Sequence, residues 1–211
     1  MNHIIAIDGP AAAGKGVLAS LVAEEYGFHR LDTGLVYRAV AKAVLDLGIN
    51  LDDEVAVVQV IKGIDFSDLN RAVLSTYEIA GAASEIAVKP LVRRELIKIQ
   101  RVFSLKKPGT VIDGRDIGTV VCPDAVVKLY VTASLKIRAE RRHAEMVASG
   151  INVDYYTIYE SIKQRDKRDK TRLLSPLIQD KGAYFINTTK MNVETMFKVA
   201  KRLIDTKLNR V

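Results

Sequence analysis

Short apolar runs alternate with amphipathic segments along almost the whole chain. Five runs have the length of a strand and lie at 3–7, 28–31, 110–112, 126–132 and 183–187. Helical periodicity is found between them, at about 14–26, 33–48, 90–105, 134–149, 155–171 and 192–207, and in shorter pieces at 53–62 and 75–88. Continuous apolar strands that alternate with helices are typical of a parallel sheet covered on both faces. The pattern therefore predicts an α/β fold with a five-stranded parallel sheet.

Residues at the ends of these segments support the same organisation. Gly27 follows the first predicted helix, and Pro90 opens the helix at 90–105, where proline is well tolerated. We expect Thr33 to cap the N-terminus of the helix at 33–48. Because no repeat, low-complexity segment or linker divides the sequence, we predict one domain over 1–211.

The loop after the first strand carries a phosphate-binding motif. It reads Gly-Pro-Ala-Ala-Ala-Gly-Lys over 9–15 and lies between a predicted strand and a predicted helix, which is the context that this motif requires. Glycines let backbone amides turn toward phosphate oxygens, and the lysine reaches the β- and γ-phosphates. We therefore expect a nucleotide-binding fold of the phosphate-loop (P-loop) NTPase type that binds ATP at Gly9, Pro10, Ala11, Ala12, Ala13, Gly14, Lys15, Gly16 and Val17.

The position after Lys15 departs from the general motif, because Gly16 has no hydroxyl group with which to contact Mg²⁺. We expect nucleotide oxygens and water to hold the metal, with help from the carboxylate of Asp113, which follows the third strand. The sequence contains neither the D-x-x-G nor the N-K-x-D motif of regulatory GTPases. It favours a kinase of small substrates.

Composition and charge exclude several other classes. The 211 residues include 32 Lys and Arg against 25 Asp and Glu, a formal charge of +7, and the whole surplus lies after residue 127. That part lacks the interleaved aromatic residues on which nucleic acids stack, so we expect no nucleic-acid partner. Cys122 is the only cysteine, which excludes an intrachain disulfide and a cysteine zinc site. No apolar run approaches the roughly 20 residues that span a bilayer, and no basic and apolar leader precedes the first strand, so we expect a cytoplasmic protein without a membrane partner, and a monomer.

Charged clusters follow two of the predicted strands. Thr33 and Arg38 come after the second strand, and Asp113, Arg115 and Asp116 come after the third. Open α/β sheets bind their ligands at the carboxyl ends of the strands. We therefore expect both clusters to lie near the phosphate loop.

Two late helices carry arginines at helical spacing. One predicted helix face contains Arg165, Asp169 and Arg172, and a face of the preceding helix contains Arg138, Arg141 and Arg142. A solvated surface crossed by ion pairs is the competing interpretation. Two arginine faces around a turn near Gly150 predict a mobile lid over about 134–172 that closes on polyphosphate, with Arg138, Arg141 and Arg142 on the ATP side.

On these motifs the chain resembles the bacterial cytidylate kinases, within the nucleoside monophosphate kinases. The resemblance covers nearly the whole chain, and its segments lie at 7–16, 31–38, 82–93, 113–121 and 165–172. The segment Asp-Gly-Arg-Asp-Ile-Gly-Thr-Val-Val at 113–121 is the most specific, because relatives that act on adenylate differ after the Asp-Gly pair. The resemblance implies Mg²⁺-dependent transfer of a phosphoryl group from ATP to CMP, with dCMP also accepted.

The resemblance also implies roles for individual residues in an acceptor-binding region over about 33–107 and beyond it. The cytosine is read by the residues that match Ser84, Arg93 and Asp116, the sugar by Thr33, Arg165 and Asp169, and the acceptor phosphate by Arg38, Arg115 and Arg172. A carboxylate at Asp116 can accept a hydrogen bond from the N4 amine of cytosine, where uracil presents a carbonyl.

The expected chemistry needs no general base, because the attacking phosphate oxygen is already ionised at pH 7. Catalysis then consists of aligning two polyanions and neutralising charge on the transferred phosphoryl group. We expect Lys15, Arg115, Arg165 and Arg172 to do this.

Two departures from the family pattern are visible. Val17 stands where the family usually has threonine. Between Arg38 and Ser84 the chain is shorter than typical members, so that 63–75 can hold at most one short hairpin.

Three alternatives stay open on the sequence alone. One is a UMP/CMP kinase or another small-substrate kinase on the same scaffold. Another is a phosphate-loop ATPase that binds nucleic acid through its basic second half and is stimulated by it. The third is a nucleotide-sensing interaction protein that binds ATP without forming CDP.

Overall fold

Five parallel strands form the centre of the computed structural model, which describes residues 3–67 and 69–209. The strands are β1 (His3–Asp8), β2 (His29–Asp32), β3 (Gly109–Gly114), β4 (Val127–Thr132) and β5 (Tyr184–Asn187), in the sheet order β2-β3-β1-β4-β5. The five predicted strands and their parallel arrangement are thus confirmed. The central position of β1 places the phosphate loop in the middle of the carboxyl edge.

The helices of the described part of the chain follow the predicted alternation. They are α1 (Lys15–Tyr26), α2 (Thr33–Asp46), α3 (Glu54–Lys62), α4 (Arg71–Leu74), α5 (Tyr77–Ile86), α6 (Pro90–Ser104), α7 (Leu135–Ala148), α8 (Tyr155–Thr171) and α9 (Val193–Leu208). The helical piece expected at 75–88 is α5, and its N-cap is Thr76, which accepts a hydrogen bond from the amide of Ile79. The described residues of 63–75 form a loop and α4 rather than a hairpin, and residue 68 lies outside the described residues.

Both faces of the sheet are covered by helices. Ile5 and Ile7 of β1 pack with residues of α1 and α9, whereas Ala6 packs with residues of α2, α3, α5 and α6 on the other face. Because side chains on both faces of the central strands β1 and β3 are buried, the sequences of these strands are largely continuous apolar runs. None of the helices in the described ranges combines the length and apolar character needed to cross a membrane.

The prediction that Thr33 caps α2 is wrong. The cap is Asp32, whose Oδ1 atom accepts a hydrogen bond from the amide of Leu35 at 3.1 Å. The hydroxyl of Thr33 instead donates to the carbonyl oxygen of Asp113 at 2.8 Å. Aspartate is at least as good an N-cap as threonine, and the neighbouring strand end occupies the threonine hydroxyl.

Helices α7 and α8 form a hairpin with a small core of its own. Ala139, Met146, Ile158 and Ile162 are its buried residues, and they belong to neither core of the sheet. Gly150 has a φ of +75° in the connection. The hairpin is therefore joined to the rest of the molecule largely through polar contacts, such as the hydrogen bond from Arg138 to the carbonyl oxygen of Ala11.

Candidate active site

A cavity of about 1150 Å³ opens beside the phosphate loop at the carboxyl edge of the sheet. Its wall contains residues of α2, α5, α7, α8 and the start of α9, and ligand sites of open α/β sheets lie at this edge. The predicted site residues in this wall are Ala11, Ala12, Ala13, Gly14, Lys15, Gly16, Val17, Arg38, Ser84, Asp113, Arg115, Arg141, Arg142 and Arg165.

Two glycines determine the course of the phosphate loop. Gly9 has a φ of +148°, and a β-carbon there would lie 1.9 Å from the carbonyl oxygen of Val131. Gly14 has a φ of +95° and is the N-cap residue of α1. Glycine adopts these conformations without strain. The loop thus leads directly into the N-terminus of α1, whose first amides have no partner within the helix and can bind phosphate oxygens.

Lys15 is buried next to this loop. Its Nζ atom donates a hydrogen bond to the carbonyl oxygen of Pro10 at 2.7 Å. Burial and the charge of Arg115 lower the pKa of Lys15 to about 7. A bound polyphosphate would favour the charged form of the lysine and reverse this shift.

Asp113 at the end of β3 lies beside Asp32 at the end of β2, because the two residues are register partners in the parallel sheet. Burial and the charge of Asp32 raise the pKa of Asp113 to about 7. Nη2 of Arg30 lies 3.4 Å from Oδ1 of Asp113, and Arg71 forms an ion pair with Asp32. Carboxylate oxygens suit Mg²⁺, so the pair fits a divalent cation. The described residues contain no group of three or more His, Cys, Asp or Glu side chains that could hold a metal ion. A bound ion would therefore need nucleotide oxygens and water as well.

Arg115 and Arg165 lie in a strongly cationic part of the cavity. Nε of Arg115 donates a hydrogen bond to Oδ2 of Asp169 at 2.8 Å. Burial and the charge of Arg115 lower the pKa of Arg165 to about 9, and the charges of Arg38 and Arg142 act in the same direction. Guanidinium groups crowded together in this way are stabilised by a bound anion.

Arg93, Asp116 and Arg172 form a buried ion-paired group. Nη2 of Arg93 lies 2.5 Å from Oδ2 of Asp116, and Nη2 of Arg172 lies 3.6 Å from Oδ1 of the same carboxylate. Nη1 of Arg172 also lies 3.9 Å from Oδ1 of Asp169, which joins this group to Arg115. Residues that the resemblance assigns to base, sugar and phosphate are thus connected in one network.

Arg172 is not part of the helical face on which the spacing placed it. Helix α8 ends at Thr171, and Arg172 has an extended backbone with φ −62° and ψ 142°. Its Nε atom donates to the carbonyl oxygen of Ser175 at 2.6 Å. The chain turns away after α8, and this turn directs the side chain toward Asp116 as well as Asp169.

Two buried polar groups close to this network have no hydrogen-bond partner among the described residues. They are Oγ of Ser84 and the hydroxyl of Tyr37. The guanidinium carbon of Arg93 lies 5.9 Å from the centroid of the Tyr37 ring, and burial raises the pKa of Tyr37 to about 12. Buried polar groups are normally paired, so these two mark a place where a ligand can supply partners.

The three arginines of α7 have different partners. Arg138 is buried and bidentate with Asp166, at 3.0 and 2.5 Å, and also donates to the carbonyl oxygen of Ala11. Arg141 donates to the hydroxyl and carbonyl oxygens of Thr188. Arg142 pairs with Glu145 and donates to the carbonyl oxygen of Ser75 at 3.3 Å, which links α7 to the segment before α5. Although Arg138, Arg141 and Arg142 were predicted to share one helix face, each of them contacts a different part of the molecule.

Several residues of the site were not predicted from the sequence. Asp8 accepts hydrogen bonds from the amides of Ile117 and Gly118 at 2.8 and 2.7 Å, and its pKa is raised to about 6 by burial. Arg30 and Arg71 lie at the Asp32 carboxylate. Tyr37 belongs to the sequence cluster that follows the second strand and includes Arg38. The contacts of Asp8, Arg30 and Arg71, in contrast, were not predicted, because most of them join residues far apart in the chain.

Comparisons with known proteins agree with this geometry. The family model for cytidylate kinase matches residues 5–206. Cytidylate kinase of Sinorhizobium medicae strain WSM419 is 57% identical over 100% of this chain and 99% of its own, and that of Agrobacterium fabrum strain C58 is 54% identical over 100% of both. An uncharacterised protein from Eubacterium ventriosum has the same fold, with a TM-score of 0.57 and 19% identity over 98% of this chain and 99% of its own.

Proposed function

The chain belongs to the cytidylate kinase family and transfers a phosphoryl group from ATP to CMP, and on this premise we propose how it does so. We propose that the reaction uses Mg²⁺, that dCMP is a second acceptor, and that the protein acts as a cytoplasmic monomer. The residues named from the resemblance are proposed to hold the roles that it implies.

One observation carries the proposed mechanism: Lys15 and the Arg115–Arg165 group line the same cavity. The lysine belongs to the phosphate loop and the arginines to the acceptor side, so two polyanions can be bound end to end between them. Lys15 and Arg165 have lowered pKa values that a bound anion would restore. Burial of these cationic groups lowers the stability of the nucleotide-free protein. The negative charges that would compensate them belong to the bound substrates.

Lys15 would hold the β- and γ-phosphates of ATP, with the N-terminus of α1 beside them. Arg38, Arg115 and Arg172 would orient the CMP phosphate, whose oxygen attacks the γ-phosphorus and displaces ADP. Arg165 would neutralise charge on the transferred group. Alignment and charge neutralisation are the main contributions to phosphoryl transfer, and no residue needs to remove a proton.

Asp113, with Asp32 beside it, would hold a divalent cation together with nucleotide oxygens and water. When bound, Mg²⁺ neutralises charge on the β- and γ-phosphates. Closure of α7 and α8 would exclude water, which would otherwise accept the phosphoryl group.

Asp116 would select the base. Arg93 and Arg172 are ion-paired with its carboxylate, which can accept a hydrogen bond from the N4 amine of cytosine. Uracil would place a carbonyl oxygen against the carboxylate. The unpaired hydroxyl of Ser84 is a further group that the base can satisfy.

A coupled assay of ADP formation tests this function. The wild-type chain is supplied with ATP and Mg²⁺ and, in turn, with CMP, dCMP, UMP, AMP or shikimate. We expect ADP to form with CMP and dCMP. At equal low concentration, UMP should react at least about tenfold more slowly, because one mismatched buried hydrogen bond costs a free energy that corresponds to a tenfold or larger decrease in rate. Faster turnover with AMP, UMP or shikimate would contradict the proposed acceptor, and ATP binding without CDP formation would point to a nucleotide sensor.

A further inference from the structure

The guanidinium group of Arg30 lies next to the place where a metal-binding hydroxyl would be expected. Its Nη2 atom is 3.3 Å from the position that a β-carbon would take at Gly16. In phosphate loops generally, the residue after the lysine carries the hydroxyl that contacts Mg²⁺. Gly16 has no side chain at this position, and the cationic side chain of Arg30 from β2 borders it.

The same guanidinium group lies between the two carboxylates of the proposed metal site. Nη2 of Arg30 is 3.4 Å from Oδ1 of Asp113 and 3.5 Å from Oδ2 of Asp32. Nη1 donates a hydrogen bond to Oγ of Ser20 at 2.7 Å, which anchors the group to α1. A divalent cation that bound both carboxylates would meet this positive charge at short range.

Arg71 approaches the same point from the acceptor side. Its Nη2 atom is 3.7 Å from the position of a β-carbon at Gly16, and it pairs with Asp32. It is half exposed and comes from the short α4, whereas Arg30 is only 24% exposed and anchored. Of the two arginines, Arg30 is therefore the one that is held more firmly beside the carboxylates.

We propose that Arg30 is a built-in counter-cation that positions Asp32 and Asp113 and competes with the divalent cation for them. The nucleotide-free protein then binds the cation weakly, and the cation enters together with the polyphosphate, whose charge outweighs that of the arginine. This inference rests on the proposed metal role of Asp113. It concerns binding, so that its test does not depend on turnover.

Titration with Mn²⁺, followed by the electron paramagnetic resonance signal of the free ion, tests the proposal on the nucleotide-free full chain. Arg30→Gln should bind Mn²⁺ about tenfold more tightly than the wild type, because a unit positive charge next to the two carboxylates is removed. Arg30→Lys, which keeps the charge, should bind as weakly as the wild type. Lys98→Gln, at an exposed position on α6, controls for the change in net charge.

Further variants identify the site and guard against misfolding. Arg30→Gln with Asp113→Asn should lose the gained affinity, and Ser20→Ala, which keeps Arg30 but frees it, should give a smaller increase. Circular dichroism establishes which variants are folded. Unchanged Mn²⁺ affinity in the folded Arg30→Gln and Ser20→Ala variants, or a gain that survives Asp113→Asn, overturns the proposal. CMP-dependent ADP formation by the wild type reports on the proposed function separately.

Discussion

At the scale of single residues, Lys15 links burial to substrate binding. Its pKa of about 7 means that the ammonium group is largely deprotonated at pH 8 in the nucleotide-free protein. A polyphosphate raises this pKa again, so binding must take up a proton. The lysine therefore makes nucleotide affinity depend on pH in a direction that can be derived from its surroundings.

We expect metal-free ADP to take up about one proton when it binds at pH 8, and its affinity to fall by up to about tenfold per pH unit above pH 7. The change in the pKa of Asp113 acts in the same direction, because a polyanion also favours the neutral carboxyl group. Isothermal titration calorimetry with EDTA, in buffers of different ionisation enthalpy, measures the uptake. Lys15→Met is the control and should lose most of it. Proton release, or affinity that does not change with pH, would contradict the assignment.

Asp116 has two buried arginine partners, so that its charge matters for stability as well as for base recognition. Asp116→Asn should reduce the ratio of kcat/KM for CMP to that for UMP by at least about tenfold, because the amide can pair with either base. It should also lower the free energy of unfolding by about 3 kcal/mol, because Arg93 and Arg172 lose a charged partner.

Urea unfolding and steady-state kinetics with both nucleotides measure these effects. Asp46→Asn removes the carboxylate of an exposed ion pair with Lys42 on α2 and serves as the matched control. It should cost less than about 1 kcal/mol and leave the base preference unchanged. An unaltered CMP to UMP ratio in Asp116→Asn would mean that the base is read elsewhere.

At the scale of elements, the sequence predicted what depends on local periodicity. Strands buried on both faces and helices with one apolar face were identified, because each leaves its own pattern of side chains. The capping of α2 by Asp32 and the single π-helical turn at Ile117–Val121 were missed. The cap of α2 is a local contact of Asp32 with the amide of Leu35, which the sequence analysis assigned to the neighbouring Thr33 instead. The turn at Ile117–Val121 depends on the bonds of distant Asp8 to its amides, which no local pattern contains.

We expect the α7–α8 hairpin to be the element that moves. It has its own small core, and buried polar bonds of Arg138 and Arg142 connect it to the phosphate loop and to the segment before α5. Polar joints of this kind separate at a lower cost than an apolar core does. Its arginines therefore can exchange protein partners for phosphate oxygens when nucleotides bind.

Hydrogen exchange tests this motion. With CMP and a non-hydrolysable ATP analogue together, amides of α7 and α8 that exchange through local opening should exchange at least about tenfold more slowly. Amides of β1 and β3, which open only globally, should remain unexchanged at these short times both with and without nucleotides. Arg142→Gln should reduce this protection, and Lys136→Gln, exposed on α7, should not. Equal protection of the hairpin with and without nucleotides would contradict a lid.

At the scale of the whole molecule, part of the charge of +7 lies in the wall of the cavity, which contains Lys15, Arg38, Arg71, Arg115, Arg141, Arg142, Arg165 and Arg168 against Asp32, Glu85, Asp113, Glu145 and Glu160. Arg93, Arg138 and Arg172 are buried. On α9 the basic residues have acidic neighbours: Lys201 pairs with Glu25 and Asp205, and Lys198 pairs with Glu194. Composition alone left the meaning of this surplus open, because burial and pairing depend on the folded arrangement. Part of the excess lines a cavity that suits phosphates and does not form a basic surface.

This distribution predicts how the protein responds to nucleic acid. Binding of single-stranded RNA or DNA should be weak at physiological salt, because surface lysines such as Lys198 and Lys201 are paired with acidic neighbours and are less able to replace the counterions of a phosphate backbone. ATP turnover should need CMP and should remain unchanged when oligonucleotides are added. Fluorescence anisotropy between about 50 and 200 mM salt, together with the coupled ADP assay, measures both. A nucleic-acid-dependent ATPase would instead be supported by two results together: affinity for nucleic acid that falls steeply with salt, and ATP hydrolysis that oligonucleotides stimulate without CMP. A kinase whose arginines line its substrate cavity predicts neither result.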